Sequence, residues 1–395
     1  MKKRLLIFIF MMLTGIFQII VGQENGIKFT SAPLLQNMTE NSVYIFWEVN
    51  KTAKSRVEYG NSGKLEFSAQ TANHGMVEIR EGMQKVEIKG LLPGKEYYYR
   101  VVSIEVKSVE AYKVVYGDTV KSEIFKFKTP DLNKSSFNFL AFNDLHNIPG
   151  YLEDAAKREG DFEFALFNGD VITDLNDEKE FAKKIFAPVS AFFASEKPVY
   201  FIRGNHETRG AAARNLINYF AAPGGKFYYT FKRGNTFFIM LDCGEDKPDS
   251  NKYYFGLADY DNYRSEEAEW LKKVVASKEF RNATHRIVAL HMPISLNPEK
   301  PSEEGHGVYD LSKKFSPILN NAGIDLMLSG HTHKYEIIRP GKGRFKFPIV
   351  VGGAYYDVKR PNRVAYTRVE VSPRRITALL KDINGVVLDK VEINK

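Results

Sequence analysis

The chain has 395 residues, 44% of them hydrophobic and 26% charged, with a formal net charge of +8. That balance excludes a disordered or fibrous protein and leaves length for two or three domains, each able to bury a core. Lys2, Lys3 and Arg4 sit in a segment expected to be removed, and the charge without them is +5, which suits an anionic substrate and gives no indication of a nucleic-acid-binding module.

The first element is a leader. Met1–Arg4 is basic, Leu5–Phe17 is an apolar run, and Ile20-Val21-Gly22 offers a small residue before the polar Gln23. Residues 1–22 thus read as a signal peptide, which predicts an exported protein, periplasmic or secreted, with no stable membrane span after cleavage. Cys243 is the only cysteine, so no intrachain disulfide can form; it follows the apolar run Phe237–Leu241 and is expected as a buried thiol.

Residues 28–129 read as all-β. Val43–Val49 and Ser55–Tyr59 are taken as two strands, Lys85–Ile88 alternates polar and apolar, Leu91-Leu92-Pro93-Gly94 is a turn, and Tyr97–Val102 and Ile124–Lys128 close the set. Short strands at this spacing predict a β-sandwich of about 100 residues. The polar stretch 129–136 is the linker. From Phe137 the pattern becomes apolar strand, turn, amphipathic helix, strand. Phe137–Phe142, Phe162–Phe167, Val199–Ile202, Phe237–Leu241, Ile287–Leu290 and Ile324–Leu328 are the strands; Glu178–Phe193 and Ser265–Ala276 carry helical periodicity. This predicts an α/β domain over 137–395 with covered sheets, ending in strands Ile349–Val351, Val364–Val371, Arg375–Leu380 and Val386–Ile393.

Five of these strands run directly into polar clusters: Asp144-Leu145-His146, Asn168-Gly169-Asp170, Gly204-Asn205-His206-Glu207, His291, and Gly330-His331-Thr332-His333. Loops at the carboxyl ends of strands in an open α/β fold converge on one crevice. Five of the eight histidines fall at these ends, with Asp144, Asp170 and Asn205 beside them. Mixed imidazole and carboxylate donors suit Mn, Fe or Zn rather than calcium. The donors exceed one coordination sphere, so two cations are expected, a pair roughly 3.5–4 Å apart that can activate water and clamp phosphate oxygens. Neither a Ser-centred elbow nor a Walker pattern is present.

The ordered set of five motifs resembles the calcineurin-like metallophosphoesterase superfamily. The resemblance implies two mixed β-sheets flanked by helices, with Asp144, His146 and His333 on one metal, Asn205, His291 and His331 on the other, and Asp170 bridging. His206 would contact the scissile phosphate and act as general acid on the leaving oxygen. The N-terminal strands, with Leu91-x-Pro93-Gly94 leading into Tyr97-Tyr98-Tyr99-Arg100-Val101, are similar to the fibronectin-III-like domain that precedes the catalytic domain in purple acid phosphatases. That family places a tyrosine three residues after the bridging aspartate, where this chain has Thr173, and no histidine at the position of His146; a colourless centre is therefore expected. The function implied is hydrolysis of small phosphate monoesters by metal-activated hydroxide, with a phosphodiesterase or nucleotide hydrolase as the alternative and a non-catalytic binding protein as the outsider.

Glu207 and Asp174 are candidates to orient His206 or other ligands. Arg203 reads as a surface residue at a strand end. The aromatic stretch from Tyr253 to Tyr263, and His306 with Tyr309, can either wall the cleft or fill the core. His74 and His285 read as structural or exposed.

Overall fold

The structure is a computed structural model that describes residues 26–147, 150–301, 303–353 and 364–395. The leader expected at 1–22 lies outside the described residues. No helix among them is long and apolar enough to cross a membrane.

The N-terminal region consists of strands β1 (Leu34–Gln36), β2 (Ser42–Gly60), β3 (Phe67–Ala69), β6 (Ile79–Lys89), β7 (Glu96–Glu110), β8 (Lys113–Lys121) and β9 (Phe125–Lys128), with a small hairpin of β4 (Ala72–Asn73) and β5 (Met76–Val77). The two runs read at 43–49 and 55–59 are one 19-residue strand. An irregularity in the β2–β6 register between Val49 and Ala53 lets the first half pair with β1 and β6 and the second with β3 and β7. A core of Ile45, Trp47, Tyr99, Val101 and Phe127 lies between these strands. The one polar atom of Trp47 is satisfied, its Nε1–H donating to Ser103 Oγ at 3.0 Å.

This region is joined to the rest by main-chain pairing. Strand β1 is antiparallel to β2 on one side and parallel to β12 (Val199–Ile202) on the other, so a single hydrogen-bonded sheet runs through both halves of the chain. Gln36 fastens the junction, donating to the Tyr219 carbonyl and accepting from the Ala221 N–H, each at 2.9 Å.

Beyond the linker, β10 (Phe137–Phe142), β11 (Phe164–Asn168) and β12 are parallel neighbours, extended by the antiparallel β19 (Ala365–Ser372), β20 (Arg375–Asp382) and β21 (Val387–Asn394). A second sheet has the order β13 (Tyr229–Arg233), β14 (Thr236–Leu241), β15 (His285–Leu290), β16 (Leu326–Ser329), β18 (Ile349–Val351), β17 (Glu336–Ile338), with β14, β15, β16 and β18 parallel. The near-continuous apolar runs follow from burial on both faces. In β10, Phe139 and Ala141 face the second sheet while Leu140 and Phe142 face the helices; in β15, Ile287 and Ala289 face the first sheet while Val288 and Leu290 face helices. Aromatic rings lock the inter-sheet layer: Phe139 stacks on Phe164 at 4.7 Å and Phe231 on Phe238 at 4.4 Å, each pair worth about 0.5–1.5 kcal/mol beyond area burial.

The first sheet's outer face is covered by α1 (Gly150–Glu159) and by the helical segment holding α2 (Glu178–Phe181) and α3 (Ala187–Val189), whose turns widen to π-helix at Ala182–Phe186 and Ser190–Ala194. The second is covered by α4 (Tyr260–Ala276), α5 (Lys278–Asn282) and α6 (His306–Asn321). In α6 Leu311, Phe315 and Leu319 recur every fourth residue on the buried stripe. The result is helix, sheet, sheet, helix, with the carboxyl ends of both parallel sets at one edge.

Candidate metal centre

Each chemistry-bearing cluster begins where a strand ends and the chain must turn sharply. Asp144, His146, Asp170, His331 and His333 all have left-handed backbones, with φ of 54°, 45°, 52°, 70° and 52°. Such a conformation costs an L-residue about 1–2 kcal/mol, and strain of this kind gathers at functional sites. It turns the side chains into the crevice. Two glycines make the close packing possible. A Cβ on Gly169, whose φ is +84°, would fall 2.4 Å from the His291 ring, and one on Gly204 would fall 2.3 Å from Asp170 Oδ1. Main-chain bonds stitch the turns together: Asp144 N–H to Gly169 O (3.1 Å), His146 N–H to Asp170 O (3.0 Å) and Gly330 N–H to His291 O (2.8 Å).

The side chains read from the sequence meet. One donor atom each from Asp144, His146, Asp170 and His333 lie within 4.8 Å of one another, as do donors from Asp170, His291 and His331. Asp170 belongs to both groups. Asn205 Oδ1 lies 3.0 Å from His331 Nδ1, which adds it to the second group, and the Nε2 atoms of His146 and His333 approach to 3.0 Å. His291 donates its Nδ1–H to the Asn168 carbonyl at 2.7 Å, so its tautomer and ring direction are fixed. Its Nε2 is fully buried, 3.1 Å from Asp170 Oδ2, and without hydrogen-bond geometry to any acceptor.

The electrostatics fit cation binding. Burial pushes His146 down to about 3 and His331 down to about 4, and lowers His333 as well, leaving the neutral imidazoles that coordinate metals. Burial works against the Asp170 anion, but the facing His291 charge outweighs it and holds the carboxyl below its ordinary range. Burial likewise raises Asp144, to about 8. His291 is raised to about 10 despite its burial, because Asp170 and then Asp144 face it. His291 and the two aspartates therefore perturb one another strongly in the metal-free chain, an interaction that a bound cation would replace.

Several roles differ from those read in the sequence. Of the two roles read for Glu207, it fulfils the orienting of other ligands, through the turns of Asp170 and Asn205, and not that of the His206 ring. Fully buried, it accepts four backbone N–H bonds, from Val171 (2.6 Å), Gly204 (2.7 Å), Asp170 (2.9 Å) and Ile172 (3.2 Å), and so clamps two of the turns to each other. Burial and the Asp170 charge push its carboxyl up to about 7 against those donors. The His206 ring is held instead by the Thr173 carbonyl, which accepts from Nδ1 at 2.6 Å, and its Nε2 lies 3.9 Å from Asp170 Oδ2. Asp174 is exposed and accepts from Asn176 at 2.6 Å.

Arg203 is not a surface residue: its side chain is only 12% exposed and ion-paired to the fully buried Asp242 at 2.6 Å. Arg209 was not singled out by the sequence. It follows His206 by one turn, places Nη1 3.1 Å from His206 Nε2, and is anchored by Glu245 and Asp246. Its spacing of three residues from His206 was the available signal. His306 bonds Asp261 at 2.9 Å and His285 bonds the Ser372 carbonyl at 2.8 Å, both structural, and Cys243 is fully buried as expected.

The model of the calcineurin-like phosphoesterase family matches residues 137–335, the span that carries all five motifs. The chain belongs to the calcineurin-like phosphoesterase family. Among relatives, purple acid phosphatase 18 of Arabidopsis thaliana is 22% identical over 311 residues, covering 74% of this chain and 62% of that one. The serine/threonine-protein phosphatase CPPED1 of Homo sapiens is 23% identical over 141 residues, 35% of this chain and 42% of the relative. The chain thus matches between 42% and 62% of the length of these two curated relatives. In fold, this calcineurin-like phosphoesterase is similar to purple acid phosphatase PPD1 from yellow lupin (Lupinus luteus) seeds, with a TM-score of 0.69, 15% identity and coverage of 92% of this chain and 74% of the other. PhoD gives 0.60 and 13%, covering 93% and 90%.

Proposed function

We propose that the chain is an exported metal-dependent phosphoesterase that hydrolyses monoesters of small phosphorylated substrates. The observation that carries this reading is the Asp170 carboxylate shared by two converging donor groups. Asp144, His146 and His333 would hold one cation, Asn205, His291 and His331 the other, with Asp170 between. The residues fit such a pair: the nitrogen-and-oxygen donor set suits Mn, Fe or Zn, and the buried His291 Nε2, with no hydrogen bond of its own, is an atom a cation would satisfy. When bound, two cations supply Lewis-acid polarisation of the phosphoryl group and a water acidic enough to serve as nucleophile near neutral pH.

The chain's own residues do the positioning. Glu207 fixes the turns that carry Asp170 and Asn205. Thr173 holds the His206 Nδ1 proton, so Nε2 faces the centre, where it accepts from Arg209 Nη1 at 3.1 Å; as general acid His206 would release that bond and carry a second proton on Nε2 for the leaving oxygen. Arg209, immobilised by Glu245, sets a guanidinium beside Nε2 where negative charge develops on transfer. The names of the relatives, phosphatases in both cases, support the reaction class. The likeness to PPD1 over 92% of the chain supports a fibronectin-III-like assignment for residues 28–129. Export rests on the leader pattern at 1–22.

The test is a substrate panel with metal content measured on the same sample. Phenyl phosphate should turn over faster than a bis-aryl phosphate, and chelation should abolish both activities reversibly. Absence of hydrolysis of either ester by metal-loaded protein would overturn the reading.

A further inference from the structure

A cleft of about 910 Å³ has in its lining Thr208 and Arg209, which directly continue the turn that carries His206. Arg209 Nη1 lies 3.1 Å from His206 Nε2, so the cleft adjoins the centre through the Arg209–His206 contact. Its size is near the upper end of the roughly 300–1,000 Å³ usual for small-molecule sites, far beyond what a three-carbon alcohol fills.

The lining is aromatic and basic. The stretch that the sequence left undecided between cleft wall and core filling contributes Tyr253, Leu257 and Tyr263 to it. Tyr253 is 66% and Leu257 73% exposed, large apolar side chains held out of the core beside a crevice. Five basic and three acidic side chains take part. Four of the five basic side chains are ion-paired, Arg203 with Asp242, Arg209 with Glu245, Lys226 with Glu266 and Lys247 with Asp246, and Asp259 is engaged by Asn262. Arg214 is exposed and has no ion-pair partner among the described residues, so its planar guanidinium is available to a ligand.

The geometry points to a nucleotide-sized substrate: a phosphate monoester whose leaving alcohol carries a flat, base-like ring, seated in this cleft against Tyr253 and Arg214 with its phosphate at the metal centre. Tyrosine and arginine faces are the surfaces on which bases stack. Hydrolysis would form a bond from water oxygen to phosphorus and break the bond from phosphorus to the ribose oxygen, which takes a proton from protonated His206; the proton lost by the water returns to His206 through solvent, and the products are a nucleoside and inorganic phosphate. This inference deepens the phosphoesterase reading and rests on it.

The experiment compares kcat/KM for 5′-AMP and for glycerol 2-phosphate in the native protein, Tyr253→Ala and Arg214→Ala. Both positions are exposed, and the ratio of the two substrates within one variant cancels any loss of folded protein. The ratio should fall about tenfold in Tyr253→Ala, mainly through KM for 5′-AMP, and in the same direction in Arg214→Ala. A ratio unchanged within about twofold in both variants overturns the inference while leaving the phosphoesterase reading intact. If the metal-loaded native protein hydrolyses neither ester, that reading fails, and calorimetric titration of 5′-AMP into the metal-free chain decides the cleft by itself. Binding that weakens in Tyr253→Ala supports it, and no binding overturns it.

Discussion

Replacing Glu207 with alanine removes the acceptor of four backbone N–H groups at once, those of Asp170, Val171, Ile172 and Gly204, at 2.6–3.2 Å from its carboxylate. A buried donor left without a partner costs about 1–3 kcal/mol, so even at the low end the loss is about 4 kcal/mol. That is a large share of the 5–15 kcal/mol by which folded domains are stable, and water entering the emptied space would recover part of it. Glu207→Gln is the informative companion. It keeps the shape and one carbonyl oxygen but turns an NH₂ toward backbone donors, and it should fall between native and alanine. Because the released turns carry Asp170 and Asn205, metal affinity should drop about 10–100-fold in the glutamine variant. Urea unfolding of the metal-free chain gives the first quantity, and metal titration of the folded variant gives the second. An alanine variant with the native unfolding midpoint and native metal affinity would refute the clamp.

His206→Ala should keep its bound metal and lose about 10²–10⁴ in kcat; parallel loss of metal would make His206 a ligand instead. Glu159 supplies a pH test remote from the centre. It is buried between α1 and β19–β20 and accepts from Tyr366 (2.6 Å), Arg368 (3.0 Å) and Lys381. Burial opposes its ionisation, but the Lys381 and Tyr366 bonds and the nearby Arg368 prevail and lower its carboxyl. A depressed folded-state value means stabilisation that is present above the ordinary carboxyl range and lost as pH falls through the folded one. Glu159→Gln should cost about 3 kcal/mol at pH 7, with the gap to native closing below about pH 4; a gap constant from pH 7 to pH 3 would contradict the pairing.

The site was legible because its signal is local. Each ligand cluster sits directly after an apolar run, and strands covered on both faces are wholly apolar toward their carboxyl ends, as at 139–142 and 287–290, so strand ends and their polar loops stand out. The continuity of β2 through 50–54 was not legible, because polar residues such as Asn50, Lys51 and Lys54 break the alternation there. Strand β8 was missed for a similar reason: no residue of it is fully buried, and Gly117 and Asp118 imitate a turn. The roles of Glu207 and Arg203 depend on partners brought in by folding, amide groups more than 30 residues away in one case and Asp242 in the other. An isolated Glu or Arg after a strand carries no sign of such burial. The cleft likewise arises where the 208–214, 225–227 and 253–266 segments meet, a juxtaposition with no periodic trace in the sequence.

The central proposition is that one carboxylate, that of Asp170, joins two cations. Metal content after equilibration with Mn(II) and removal of the excess, measured by mass spectrometry on the native protein and on Asp170→Asn, tests it most directly. The account predicts close to two ions per native chain and loss of most bound metal, with nearly all turnover, in the variant. A single ion per native chain, or a variant that still holds two and turns over normally, would contradict it.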